Sequence, residues 1–134
     1  MKIKEAQDKI KEFDIARNWQ NDWNMKDLLL NLTEETGEIW NLIKWIDDKD
    51  KEKEITNKNK EEVSDFIGDS MFIILKLANQ TNVDAGKALQ ATLDEYEKRM
   101  PPEIMKKVKH INPHAGGYDN KYKNGNYNNT KKTI

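Results

Sequence analysis

The sequence predicts an all-α protein, a four-helix bundle followed by a flexible C-terminal tail. Three observations carry this expectation. Apolar residues recur at helical spacing in four stretches of the 134-residue chain, no stretch alternates as a strand does, and Asn, Asp or Pro stands where the stretches end. The tail of 34 residues is rich in Asn, Lys, Gly and Tyr and has too few apolar side chains to bury a core of its own.

The first helix is expected over 3–16, where Ile3, Ala6, Ile10 and Phe13 share a face. A polar connector holding Asn18, Trp19 and Trp23 follows. The second helix is expected over 25–46. Asp47 to Asn59 is densely charged and reads as a polar loop. The third helix is expected over 60–79, with a break at Gln80-Thr81-Asn82, and the fourth over 84–99, with Asn82 or Asp84 available as N-cap. Pro101-Pro102 stops it. The division is thus a helical domain over 1–101 and a basic tail over 102–134.

Composition narrows the function classes. Charged residues make up 35% of the chain and hydrophobic ones 36%, so the core must be small and the surface strongly solvated. No run of 18 apolar residues occurs, so no membrane span is expected. The first residues lack the apolar segment of a secretory signal, and a cytoplasmic protein is the expectation. With no cysteine, disulfides and thiolate metal sites are excluded. The net charge of −1 is uneven, because residues 101–134 carry +5 and the body −6. The tail lacks the interleaved aromatic and basic residues of a nucleic-acid module and reads as a solvated extension.

The second and third helices hold the chemistry. With Glu35 at zero, Leu28, Leu32, Ile39, Leu42 and Ile46 fall within about 60° of it around the helix, with Glu38 and Trp45 at the edge. Glu35 therefore stands on the face expected to be buried. A desolvated carboxylate costs several kcal/mol unless a cation or donors compensate. The third helix is apolar nearly all round from Phe66 to Ala78, which marks it as a central, buried helix, yet Asp69 stands within it and Asp65 and Glu62 precede it on the same side. Two helices bringing carboxylates to one core need a shared cation or a shared proton. An oxygen-only set with neither His nor Cys suits a hard ion, Mg²⁺ or Mn²⁺, and such ions bind substrate phosphates.

The run Glu34-Glu35-Thr36-Gly37-Glu38 resembles the EExxE motif of the MazG-like all-α nucleoside triphosphate pyrophosphohydrolases, with the nearer likeness to their dCTP pyrophosphatase branch. Asn18-Trp19, Leu28-Leu29-Leu30-Asn31-Leu32, Trp45 seven residues past Glu38, and Asn82-Val83-Asp84 through Lys98-Arg99-Met100-Pro101 extend the likeness over residues 4–101. It implies a bundle completed by dimerisation or tetramerisation, and Mg²⁺-dependent cleavage of a (d)NTP to (d)NMP and pyrophosphate, with dCTP or a modified nucleotide as substrate. Glu35, Glu38 and Asp69 match metal ligands, and Trp19 and Trp45 match residues lining the base pocket. Glu34 or Glu38 would orient the water, and Lys76, Lys98 and Arg99 are the candidates for the phosphates. Three positions depart from the pattern. Phe66 stands where the family's ExxD has Glu, leaving Asp65 or Glu62 for the fourth ligand; Tyr96 replaces a frequent Asn; Trp23 replaces a frequent His. His110 and His114 are spaced as HxxxH, but Pro113 opposes a helix there, and they are assigned no role. A reading from a different class is a helical interaction module with a degenerate metal site and a basic tail. Pyrophosphate release separates the two.

Overall fold

The computed structural model describes residues 1–107. The expected histidines and nearly all of the tail therefore lie outside the described residues. Six helices follow one another: α1 (Ile3–Ile15), α2 (Met25–Ile43), α3 (Lys49–Lys58), α4 (Lys60–Gln80), α5 (Ala85–Arg99) and the single turn α6 (Pro102–Met105). No strand occurs among the described residues.

Two compact units divide the chain, Met1–Gly86 and Lys87–Ile134. In the first, α4 is the spine: α2 packs along it over its length and α1 packs beside it. Both run antiparallel to α4. Gln80, at the end of α4, donates to the carbonyl of Trp23, just before α2 begins. Gln7 meets Asn79, Asp14 meets Lys76 and Phe13 meets Phe72, so α1 descends α4 in the same sense. The second unit holds most of α5 and all of α6, with Arg99 pairing to Glu95 one turn back at 2.9 Å.

The local causes of these elements are visible in their ends. α2 opens with a reciprocal capping box, in which the Asp27 N–H donates to Asn24 and the Asn24 N–H donates to the Asp27 carboxylate, both at 3.0 Å. α1 and α4 close alike. Asn18 and Asn82 take the left-handed conformation at φ 56° and 55°. The next residue's N–H, of Trp19 or Val83, then reaches back to the carbonyl of Asp14 or Ala78.

One expectation is corrected by α3. The stretch read as a polar loop forms a helix because its ends are satisfied without a buried face. Asp48 accepts from the Lys51 N–H at 2.9 Å, Asp50 and Glu52 sit in the first turn, and Lys58 closes the last turn on Glu54 at 2.6 Å. Half-buried Ile55 and Thr56 supply its anchorage. α2 also stops three residues earlier than expected, at Ile43.

A second correction concerns burial. The buried apolar side chains among the described residues are few: Ala6, Leu28, Ile73, Leu75 and Ala78. α4 is not covered all round. Ile67, Met71 and Ile74 line one exposed face, because α1 and α2 occupy only the other sides of the helix. On α2, Leu29 and Trp40 lie eleven residues apart, hence on one face, and both are exposed.

Polar groups do part of the work of the core. The Gln7 side chain donates to Asn79 and to the Val83 carbonyl and accepts from the Ala85 N–H, while Asn79 returns a bond to the Gln7 carbonyl. Gln7 is buried and ties α1 to the turn after α4. Gln7→Leu leaves the Ala85 N–H and the Val83 carbonyl without these partners and is expected to cost about 2–3 kcal/mol in chemical denaturation. Lys9→Gln breaks only the exposed pair with Glu5 and is expected to change stability by less than about 0.5 kcal/mol.

Candidate active site

The antiparallel register of α2 and α4 brings their acidic residues to one place. A recess of about 200 Å³ is lined by Glu35, Glu38 and Ile39 from α2 and by Glu62, Asp65 and Phe66 from α4. An open groove of about 430 Å³, lined by Lys60, Glu61, Ser64, Asp65, Gly68 and Asp69, runs along α4. Asp65 belongs to both, so the two concavities share a wall.

Glu35 is half-buried on the helix face that packs toward α4, whereas Glu38, Glu62, Asp65 and Asp69 are exposed. The Glu35 carboxyl is raised above the ordinary carboxylate range. Burial is the main cause, and the negative charges of Glu38, Asp69, Asp65 and Glu34 add to it in that order. Four carboxylates from two helices thus act on Glu35. Glu34 contributes charge, but it is exposed and does not line the recess.

The donor set suits a hard divalent ion by its chemistry: every polar side chain of the recess is a carboxylate, and a cation would relieve the repulsion at Glu35. Among the described residues no three carboxylates or imidazoles stand together in a coordinating arrangement. Both Glu62 and Asp65 line the recess, with Phe66 between α2 and the acids of α4 as its apolar wall.

The other candidates stand elsewhere. Lys76 is buried in a separate recess of about 100 Å³, lined by Lys11, Asp14, Gln20, Lys76, Asn79 and Gln80, where its Nζ meets Asp14 Oδ1 at 2.8 Å. Its ammonium also lies 4.2 Å from the ring centre of Trp23. Trp19 packs edge-on to Trp23 and to Phe13 at 5.1 and 5.9 Å and keeps 36% of its surface exposed. Trp45, just beyond α2, is 83% exposed with Lys44 5.7 Å from its ring. Lys98 and Arg99 lie in the last turn of α5, in the second unit, and Arg99 stacks toward Tyr96 at 5.7 Å. Asp14 and Gln7 were not singled out from the sequence. Both fall on the Ile3–Ala6–Ile10 face of the first helix, and a carboxylate on an apolar face was the available signal.

No curated protein sequence matches the chain. A pyrophosphatase from Archaeoglobus fulgidus has a similar structure, with a TM-score of 0.66 and 24% sequence identity over 73% of this chain and 91% of that one, which shows the fold. The MazG nucleotide pyrophosphohydrolase domain matches residues 24–104, from the N-cap of α2 through α6. With more than half of its length in that match, the chain belongs to the MazG nucleotide pyrophosphohydrolase family and is a hydrolase acting on nucleotide phosphoanhydrides.

Proposed function

We propose that this hydrolase cleaves a nucleoside triphosphate between its α and β phosphates, releasing the monophosphate and pyrophosphate in a reaction that requires Mg²⁺, with Mn²⁺ able to replace it. The observation that carries this reading is the half-buried Glu35 facing Glu38 and the α4 acids across one recess. Glu35, Glu38, Asp65 and Asp69 would hold the ion, and Glu62, on the rim of the same recess, would assist. When bound, the ion neutralises the phosphate oxygens and makes water easier to deprotonate.

The protein's own contribution is placement. The α2 and α4 acids fix where the triphosphate is neutralised, which leaves the base to be held some distance along α4. Glu38 lines the recess and Glu34 does not, so Glu38 is the better placed to accept a proton from the attacking water and aim it at the α-phosphorus. Phe66 excludes solvent from one side of the acids. The exposed aromatic surface of Trp19 is the proposed stacking platform for the base of dCTP or of a modified nucleotide, whereas Trp45, past the opposite end of α2, lies too far away to share that base within one chain.

The exposed faces Ile67–Met71–Ile74 and Leu29–Trp40 are proposed to be covered by further copies of the chain. Five buried apolar side chains give a core too thin to offset chain entropy alone, whereas a dimer would bury these stripes. A Met71→Glu, Ile74→Glu variant is expected to run as a smaller species than wild type in light scattering, and an unchanged mass would remove these residues from the interface.

Turnover of each dNTP and NTP with Mg²⁺ tests the reaction, with pyrophosphate rather than orthophosphate as the expected product. Glu38→Gln, Asp65→Asn and Asp69→Asn are each expected to lower kcat/KM about 100-fold or more, and Glu62→Gln about tenfold. Pyrophosphate release that survives Glu38→Gln unchanged would refute the site.

The raised pKa of Glu35 also carries a sign. A carboxyl that holds its proton more tightly folded than unfolded destabilises the ion-free protein at neutral pH, and this penalty fades as pH falls through the folded pKa. In chelator, Glu35→Gln is therefore expected to melt above wild type at about pH 7.5, with the gap closing toward about pH 4. Adding Mg²⁺ is expected to raise the melting temperature of wild type but not of the variant.

A further inference from the structure

Lys76 is the one buried lysine among the described residues, and its surroundings differ from those of a phosphate ligand. Its ammonium bonds Asp14 at 2.8 Å, and the rings of Trp23, Trp19 and Phe72 stand 4.2, 5.9 and 5.9 Å away. Asp14 neutralises the charge and the ring faces solvate it, which is how a lysine is kept in a dry place. The four rings form an edge-to-face chain, Phe72 to Phe13 at 5.7 Å, Phe13 to Trp19 at 5.9 Å, and Trp19 to Trp23 at 5.1 Å.

Other ties of the connector between α1 and α2 are local, with the Asp22 N–H donating to the Trp19 carbonyl and Arg17 lying 3.6 Å from the ring centre of Phe13 and 6.0 Å from that of Trp19. Trp19 is held by its N–H to the Asp14 carbonyl, and Trp23 by its carbonyl to Gln80. Gln80 follows Lys76 by one helical turn, so α4 holds Trp23 at two points, its ring from Lys76 and its carbonyl from Gln80. Asp14 likewise serves twice, with its carbonyl on the Trp19 N–H and its carboxylate on Lys76.

The register of α4 gives this frame a place relative to the acids. Seven residues separate Asp69 from Lys76, which puts them on nearly the same helix face and about 10 Å apart along the axis. That separation is of the order of the span between the phosphates and the base of an extended nucleotide. We infer that Lys76, paired with Asp14, is a positioning residue that sets the ring of Trp19 as the base platform and takes no part in binding the phosphates. The inference rests on the proposed stacking role of Trp19.

Near-UV circular dichroism and steady-state kinetics with dCTP and Mg²⁺ separate the possibilities. Lys76→Met is expected to lose most of the tryptophan band and to raise KM about tenfold while kcat changes less than about threefold. Lys76→Arg, which keeps the cation, is expected to retain both. Asp14→Leu with Lys76→Met removes both charges, so no lone charge is left buried; it is expected to keep its helical far-UV spectrum while losing the tryptophan band. A Lys76→Met protein with an intact tryptophan band, or one whose loss falls on kcat, would overturn the inference. Trp19→Leu tests the reading beneath it. A KM raised about tenfold supports the platform, and an unchanged KM refutes it, while the dichroism of the Lys76 variants still decides whether that lysine orders the connector.

Discussion

The antiparallel contact between α2 and α4 is the constraint on which the rest of the molecule depends. It carries the fold, since α2 and α4 pack together more extensively than any other two helices, with Leu28, Ile73 and Leu75 among their buried apolar side chains. It also carries the cost, because the same register sets Glu35 and Glu38 opposite Glu62, Asp65 and Asp69. Hydrophobic burial near the start of α2 holds together helices whose acids repel one another farther along. A protein selected only for stability would place Leu or Ala at Glu35. Retaining a carboxylate there makes sense when a cation and a polyphosphate complete the site.

The remaining elements stiffen this contact. α1 adds few apolar groups but brings Gln7 and Asp14, two buried polar side chains that find specific partners on α4 and on the turn after it. Charges are handled in two opposite ways along one helix. At Lys76 the charge is paired and caged by rings, which fixes geometry. At Asp65 and Asp69 the charges are exposed along the open groove of α4, which Lys60 also lines.

Much of this was legible in the residues. The apolar period placed α1, α2, α4 and α5, and the acids of α2 and α4 pointed to the candidate recess, because a carboxylate on an apolar face is energetically conspicuous. The breaks were legible too, at the connector holding Asn18 and at Gln80-Thr81-Asn82, although the left-handed turns of Asn18 and Asn82 were not. What escaped has physical reasons. α3 is stabilised by its cap and its charges and shows no apolar face to read. The exposed flank of α4 looked buried because Ile67, Met71 and Ile74 are apolar, and apolarity alone does not say whether the cover comes from the same chain. Lys76 was a candidate for the phosphates because its helix face matches that of Asp69, and its pairing across helices was not read. Its partner Asp14 lies 62 residues earlier, and periodicity within one helix does not reveal a pairing between two.

Titration with Mn²⁺, followed by loss of the free-ion electron paramagnetic resonance signal, tests the central claim most directly. If acids from both helices form one cation site, wild type binds the ion saturably, and Glu38→Gln on α2 and Asp65→Asn on α4 each weaken it at least about tenfold. Binding should also weaken as the pH is lowered and Glu35 takes up its proton. Absence of binding, or binding indifferent to substitution on either helix, would contradict the account.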